Sequence, residues 1–174
     1  QLASMTRIIE YQLQRAAASG RAPLAAPVEL LPVVRNIISA LAKVYADKDV
    51  NVALNIPPGI AFHGDAGDLT EMLGNLLDNA YKWCRGRIHV SARRQAASGA
   101  LGAVLEIHIE DDGHGIAADM RARVLQRGVR ADQTTPGHGL GLAMVQDTVV
   151  LYRGELLLNN RLDGGLMVRL SLPE

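Results

Sequence analysis

The sequence predicts an α+β fold, a two-layer sandwich in which helices cover one sheet. Amphipathic stripes with helical spacing indicate several helices, and shorter stretches of alternating apolar residues indicate strands. Strand pairs follow one another without an intervening helix, so strict βαβ alternation is absent and the pattern favours an antiparallel sheet. The 174 residues suffice for one domain with its own core.

The first predicted helix occupies residues 1–19 and is followed by a linker. Gly20 suits the end of this helix, and residues 21–27 are rich in Ala and Pro. We therefore expect a domain boundary there, with the main domain at residues 28–174. The apolar stripe of the helix consists of Leu2, Met5, Ile9, Leu13 and Ala16.

A second helix, a strand and a long third helix come next. Apolar residues recur at helical spacing through residues 28–48, and they alternate from Val50 to Ile56 as in a half-buried strand. Asp65 is placed to cap the third helix. The face of that helix expected in the core comprises Leu69, Met72, Leu73, Leu76, Leu77 and Ala80.

The residue pattern in the second half of the chain predicts four more strands and a last long helix. The elements are strands at 87–94 and 103–110, a Gly-rich turn at 112–118, a short helical piece at 119–126, an aperiodic polar segment at 127–137, a helix at 139–152, and strands at 155–159 and 166–172.

The composition excludes some classes of function. Lys and Arg together number 18, as do Asp and Glu, so the formal net charge is zero and nucleic acid is not an expected ligand. No apolar run reaches the ~18 to 20 residues of a membrane span and no secretion signal opens the chain, so these residues are expected not to be membrane-bound. Cys84 is expected to be a small core residue in a reducing cytoplasm. Because the chain begins at Gln1 rather than Met, we expect a piece of a longer protein.

A polar stripe marks the long third helix. Glu71, Asn75, Asn79 and Lys82 are separated by four, four and three residues, so their side chains project from one side. Amide oxygens suit a hard cation such as Mg²⁺, which takes few protein ligands when phosphate supplies the others, and a lysine one turn further on is placed to meet that phosphate. A solvated helix face has the same spacing, so the stripe alone leaves both interpretations open.

A second motif, D-x-G-x-G-I, runs from Asp111 to Ile116 directly after a predicted strand. Gly113 and Gly115 permit positive φ and close approach of a ligand, and the carboxylate can accept a hydrogen bond from an exocyclic amine. A tight turn and a calcium loop are the alternatives. Calcium is disfavoured because alternating oxygen ligands do not continue past Gly115.

The third motif is a Gly-rich stretch that opens the last predicted helix. Glycines before a helix N-terminus leave backbone N–H groups free at the positive end of the helix dipole, a combination that suits phosphate. No G-K-[ST] follows and no strand leads directly into the motif, so neither a P-loop nor a dinucleotide-binding fold is expected. Its residues are Gly137, His138, Gly139, Leu140, Gly141 and Leu142.

In their order and spacing, E-x-x-x-N-L-x-x-N-A-x-K, D-x-G-x-G-I and G-x-G-L-G-L resemble the N, G1 and G2 boxes of histidine kinase catalytic domains. The resemblance spans about residues 28–174 and is closest to the PhoQ branch. It implies a Bergerat-type (GHKL) sandwich with a mixed sheet, in which ATP and Mg²⁺ lie between the Asn-bearing helix and a lid. It also implies a two-component sensor kinase that donates the γ-phosphoryl group of ATP to a histidine.

The resemblance implies a role for each matching residue. Asn75 would coordinate Mg²⁺, Asn79 would support the phosphate and metal network, and Lys82 would contact phosphate. Trp83 would pack near the adenine, and Asp111 would accept a hydrogen bond from the adenine amino group. The remaining nucleotide-binding positions would be Gly113, Gly115, Ile116 and the six residues of the third motif.

Further implied roles fall on the helix start and the lid. Glu71 matches a residue that activates water in neighbouring ATPases. Arg130 matches a lid arginine that offsets charge developing on the transferred phosphoryl group. His138 stands where the PhoQ branch commonly has a metal-binding glutamine, and Thr135 where a basic residue is common. The Phe-x-Phe often found in the lid is absent.

The phosphorylated histidine is not expected in this chain. None of its five histidines has the H-[ED]-x-x-[TN] context of the family's acceptor. The resemblance therefore places the acceptor on a dimerisation domain outside these residues and matches residues 1–20 to the tail of that domain's second helix. For the parent protein it implies a homodimer, an OmpR-like response regulator and the bacterial inner membrane.

Two other functions remain open. An ATP hydrolase of the gyrase, chaperone or mismatch-repair kind shares the E-x-x-x-N and D-x-G-x-G elements but is expected to continue into a transducer domain. A nucleotide-sensing module without phosphotransfer is the other alternative, in view of Thr135 and His138.

Overall fold

The architecture is seen in a computed structural model that describes residues 26–96, 102–126 and 141–174. The helices are α1 (Leu30–Val44), α2 (Ala66–Trp83), α3 (Ala118–Arg121) and α4 (Gly141–Leu151). The strands are β1 (Val28–Glu29), β2 (Asn51–Asn55), β3 (Ala61–Phe62), β4 (Arg87–Ala96), β5 (Ala103–Asp111), β6 (Glu155–Asn160) and β7 (Leu166–Pro173).

Five of these strands form one mixed sheet in the order β2-β4-β5-β7-β6, and β1 pairs with β3 in a separate two-stranded ribbon. The predicted α+β sandwich is confirmed. The mixed sheet that the family resemblance implies is confirmed: β2 runs parallel to β4 at one edge, where strand patterning alone favoured antiparallel pairing. The chain leaves β2, passes through β3 and α2, and only then enters β4, a crossover long enough to bring two strands side by side in the same direction.

The two faces of the sheet have opposite characters. The inner face packs under the helices and carries Ile88, Val90, Leu105, Ile107, Ile109, Val168, Leu170 and Leu172, all buried. The outer face carries polar side chains, among which Arg93 and Glu106 form a 2.6 Å ion pair across the β4–β5 ladder. Because side chains alternate between faces, this contrast explains the period of two in the sequence.

Helix α2 forms the centre of the helical layer. Its first turn is capped by Asp65, whose carboxylate accepts hydrogen bonds from the backbone N–H groups of Gly67 and Asp68 at 2.8 and 3.0 Å. The six residues predicted to face the core are all buried. At the other end the amine of Lys48 donates to the carbonyl oxygens of Tyr81 and Lys82, at 2.7 and 3.1 Å. Both ends of the helix therefore have partners for backbone groups that a helix leaves unpaired.

Two tyrosines fasten the neighbouring helices to α2. The Tyr45 hydroxyl donates to Asp78 at 2.8 Å. From the end of α4, the Tyr152 hydroxyl donates to Asp68 at 2.8 Å and accepts from the backbone N–H of Asp65 at 3.1 Å. Burial, followed by these carboxylate contacts, raises the pKa of both Tyr45 and Tyr152 to about 12, so both stay protonated donors at neutral pH.

Several element boundaries differ from the predictions. The helix expected from residue 28 starts at Leu30, because Val28 and Glu29 pair with β3. The helical piece expected to reach residue 126 ends at Arg121 and continues as turns. In β2 the expected alternation is weak, with Leu54 36% exposed, because this strand lies at the edge of the sheet and is covered by few neighbours.

Other predictions fall wholly or partly outside the described residues. These are the helix at 1–19, most of the linker at 21–27, the β4–β5 loop and the segment at 127–137. Cys84 is buried, as expected. No helix in the described ranges is both long and apolar enough to span a membrane.

The carboxylate of Asp112 locks the loop after β5 to the start of β4. Its Oδ1 accepts from the backbone N–H groups of Arg85, Gly86 and Arg87, at 2.8, 3.1 and 3.0 Å, and Oδ2 accepts from the Arg87 side chain. Burial acts to raise the pKa of Asp112, but these donors outweigh it and hold that pKa well below its usual value.

The cap of α2 can be tested by an Asp65→Ala substitution. Two backbone N–H groups lose their acceptor, so we expect the free energy of unfolding to fall by about 1 kcal/mol in urea titrations. Asp65→Asn, which keeps an acceptor oxygen, is the matched control and should retain most of the stability. Equal losses in both variants would contradict the capping role.

The Asp112 carboxylate predicts a pH-dependent stability difference. Asp112→Asn should lower the free energy of unfolding by about 2 kcal/mol at pH 7, because charge-assisted hydrogen bonds are lost. The pKa is lower in the folded chain, so this contribution is complete above the unfolded value of about 4 and is lost as pH falls below it. Urea titrations at pH 7 and pH 3 should therefore show a smaller difference between wild type and variant at pH 3. A constant difference would refute this origin.

Candidate functional site

The polar stripe of α2 lies at the edge of the core. Glu71, Asn75, Asn79 and Lys82 are all half-buried, as expected for a face beside the apolar one. The side-chain amide of Asn75 donates through Nδ2 to the carbonyl oxygen of Glu71, at 3.0 Å. This bond fixes the amide and leaves Oδ1 as its acceptor atom.

The third motif meets the first at Asn75. Gly141 opens α4, and a β-carbon built on it would lie 3.0 Å from Oδ1 of Asn75. The start of α4 thus passes directly over the Asn75 side chain, with little room for anything larger than glycine. Leu142, the next residue of the motif, is half-buried against the core.

The second motif meets the first at the C-terminal end of α2. A β-carbon on Gly113 would overlap the carbonyl oxygen of Trp83, so only glycine allows the loop to come this close. The His114 ring packs edge-on against the Trp83 ring, with centroids 5.3 Å apart. The Lys82 amine lies 5.5 Å from the centroid of the same indole. Helix α2 therefore touches both Gly-rich motifs.

Asp111 ends β5 inside this junction and is only 5% exposed. Its Oδ1 accepts from the backbone N–H of Gly113 at 2.8 Å and from that of Leu166 at 3.4 Å. Burial raises the pKa of Asp111, and the two backbone donors partly offset that effect. Within the described residues, both of these hydrogen bonds fall on Oδ1, and Oδ2 is the oxygen available to a donor from a ligand.

Three residues of the β6–β7 hairpin hold this loop, and sequence reasoning missed them. The side-chain amide of Asn160 pairs with both backbone groups of Ile116, and Arg161 donates to the carbonyl oxygen of Asp111 at 3.3 Å. Gly165 has φ of 95°, and a β-carbon there would overlap the same carbonyl. The only signal in the sequence was the paired glycines of a hairpin turn, which do not reveal a partner about 50 residues away.

Some predicted site residues cannot be placed. Arg130 and the motif residues Gly137, His138, Gly139 and Leu140 lie outside the described residues. In the region where the family often has Phe-x-Phe, Val124 is 5% exposed and belongs to the core cluster. An aliphatic side chain therefore fills that part of the interior.

Comparisons with known proteins identify the family of this chain. A family model described as "Histidine kinase-, DNA gyrase B-, and HSP90-like ATPase" matches residues 64–174. The chain is 41% identical over 171 residues to the two-component sensor PhoQ of Pseudomonas aeruginosa, a match that covers 98% of this chain and 37% of that protein. The chain thus spans little more than a third of the length of this curated relative.

Solved structures show the same fold. The mycobacterial sensor histidine kinase MprB aligns with a TM-score of 0.72 at 28% identity, covering 85% of this chain and 96% of that one. Full-length ShkA in complex with AMPPNP aligns with a TM-score of 0.70 at 27% identity, covering 90% of this chain and 33% of that one. With a family model over well more than half of its length, the chain belongs to the histidine kinase-, DNA gyrase B- and HSP90-like ATPases, and within them it is similar to PhoQ-like sensor kinases.

Proposed function

We propose that this chain is the ATP-binding catalytic domain of a PhoQ-like sensor histidine kinase and donates the γ-phosphoryl group of ATP to a histidine on a dimerisation domain. One observation carries the proposal: α2 brings Asn75 against Gly141 and Trp83 against Gly113, so the motif on this helix meets both Gly-rich motifs. The similarity to PhoQ and to an AMPPNP-bound kinase supports it.

The phosphate end of the nucleotide is assigned to the junction of α2 and α4. Asn75 presents an amide oxygen with its NH₂ group already engaged, which fits a hard cation such as Mg²⁺. When bound, Mg²⁺ would neutralise charge on the phosphates. Asn79 follows one turn later to support the phosphate network, with Lys82 and, from outside the described residues, Arg130 as phosphate ligands. His138 is the further candidate for the metal.

The adenine end is assigned to the loop after β5. Oδ2 of Asp111 would accept a hydrogen bond from the adenine amino group, while Trp83 borders the same loop through its contacts with Gly113 and His114. A carboxylate held in place by backbone donors is preorganised for this bond and needs no rearrangement when the base arrives.

Phosphoryl transfer requires an acceptor from elsewhere. His63 lies 3.0 Å from Glu174, His89 and His108 stand on strands of the sheet, and Nδ1 of His114 lies 2.6 Å from the Gly115 carbonyl oxygen. None of these sits on a helix, where the family's acceptor would be. The parent protein is proposed to be a membrane-anchored homodimer that supplies this histidine and acts on an OmpR-like response regulator, with residues 1–20 as the end of its dimerisation hairpin.

In transfer, the imidazole nitrogen forms the new P–N bond as the bond from the γ-phosphorus to the ADP oxygen breaks. Lys82 and Arg130 would offset the charge that develops. Glu71, one turn before Asn75, is the candidate to orient the attacking group.

Nucleotide binding is tested with two substitutions that separate the ends of the site. Asp111→Asn should weaken AMPPNP binding at least ~10-fold, by ~1.4 kcal/mol or more, with and without Mg²⁺, because the amide replaces an acceptor by a donor. Asn75→Ala should weaken it mainly when Mg²⁺ is present. Isothermal titration calorimetry measures both effects, with exposed Asp119→Asn and Asn36→Ala as controls. Undiminished binding by Asp111→Asn would overturn the assignment of the adenine end.

Kinase activity is tested with γ-³²P-ATP. The isolated chain should bind ATP yet incorporate no acid-labile phosphohistidine, whereas a separately supplied histidine hairpin from a PhoQ-like kinase should become labelled. Label on the isolated chain would contradict the assigned division of labour. Steady phosphate release without labelling of the hairpin would identify an ATP hydrolase instead, and binding without either reaction would identify a sensing module.

A further inference from the structure

We propose that Asn160 is a positioning residue of the nucleotide site, and that its side-chain amide sets the path of the D-x-G-x-G loop. The inference rests on the proposed function. It adds a residue at the end of the edge strand β6, 44 positions from its partner, to the motif on α2 and the two motifs that contact it.

The contact is a two-point one. Oδ1 of Asn160 accepts from the backbone N–H of Ile116 at 2.9 Å, and Nδ2 donates to the backbone carbonyl of the same residue, also at 2.9 Å. A primary amide carries the same donor and acceptor as a peptide bond. The Asn160 side chain therefore pairs with Ile116 as the backbone of a neighbouring strand would.

The position of this contact explains how it supports the loop after β5. Asp111 ends β5, Leu166 begins β7, and Asn160 ends β6, in the spatial order β5-β7-β6. From Asp111 to Ile116 the loop thus crosses the end of β7, a span of two strand spacings or roughly 10 Å. Leu166 and Arg161 hold its first residue, and Asn160 holds its last. The β6–β7 hairpin is the support beneath the whole loop.

Steric contact couples Asn160 to the second glycine of the motif. Gly115 has φ of 72°, and a β-carbon built on it would lie 2.6 Å from Oδ1 of Asn160. The amide therefore occupies the space that a side chain at 115 would need. Glycine at this position serves the approach of Asn160 as well as any approach of a ligand.

The contact lies at the surface, which separates loop position from global stability. Asn160 is exposed and the hydrophobic cluster lies elsewhere. A solvent-exposed pair of hydrogen bonds adds little to the unfolding equilibrium, yet the same pair restricts a loop that has no sheet neighbour of its own. Loss of the Asn160 side-chain amide should therefore change the position of the loop more than it changes the free energy of unfolding.

The experiment uses the full chain with Asn160→Ala, Asn160→Asp and the neighbouring Asn159→Ala as control. Ligand affinity is measured with ADP in the absence of Mg²⁺, which isolates the adenosine end, together with the midpoint of urea unfolding and hydrogen exchange at the Ile116 amide. Asn160→Ala should weaken ADP binding about tenfold and accelerate exchange at Ile116, with little change in the midpoint. Asn160→Asp should weaken binding at least as much, because a carboxylate would then face the Ile116 carbonyl, and Asn159→Ala should match wild type.

Two outcomes would overturn the positioning role: unchanged ADP affinity in Asn160→Ala despite faster exchange at Ile116, or a loss of affinity that follows a lowered unfolding midpoint. Failure of the unaltered chain to bind any adenine nucleotide would be a different result, since it would remove the proposed function itself. The wild-type titration therefore distinguishes the two failures.

Discussion

The burial of one face of α2 against the sheet is the constraint on which the candidate site depends. Its apolar residues lie in the core, so the adjoining polar face with Asn75 and Asn79 is held at the rim of that core. Asp65 and Lys48 bind the two ends of the helix. Because both ends of the helix are held, the positions of Asn75 in its middle and Trp83 at its end are fixed relative to each other.

A second set of constraints comes from side chains that bond to the backbone of the loop after β5. Asp112 ties that loop to the start of β4, and Asn160 and Arg161 tie it to the β6–β7 hairpin. These contacts supply hydrogen-bond partners to a segment that continues past the last residue of β5. Side-chain contacts therefore connect this loop to the sheet on both sides of β5.

Much of the fold was predictable because its signals are local. The cap at Asp65, the apolar period of α2 and the alternation in β4 and β5 each lie within one element, and all were confirmed. Strand patterning alone did not identify β2 as the parallel strand of the mixed sheet, because that pairing depends on where a crossover returns the chain. Nor was the bond from Lys48 to α2 predictable, since it joins residues 33 positions apart.

The candidate site likewise has residues that the sequence predicted and contacts that it did not. Motif spacing identified Asn75 and Asp111 as candidate site residues. It did not reveal that Gly141 lies over Asn75 or that the backbone N–H of Leu166 donates to Asp111. Asn160 escaped notice because an asparagine at the end of a strand has many ordinary uses. The roles of Arg130 and His138 stay predictions.

The burial of Asp111 affects which nucleotide bases the proposed site would bind. Burial raises the pKa of Asp111 and the two backbone donors partly offset that rise; in its ionised form the carboxylate offers lone pairs and no proton. A base with a carbonyl where adenine has its amino group would bring its lone pairs against those of the ionised carboxylate at a buried position. In the proposed site, adenine would then be preferred over guanine because the guanine carbonyl oxygen would be repelled by the Asp111 carboxylate. A pocket shaped to exclude guanine would not be needed.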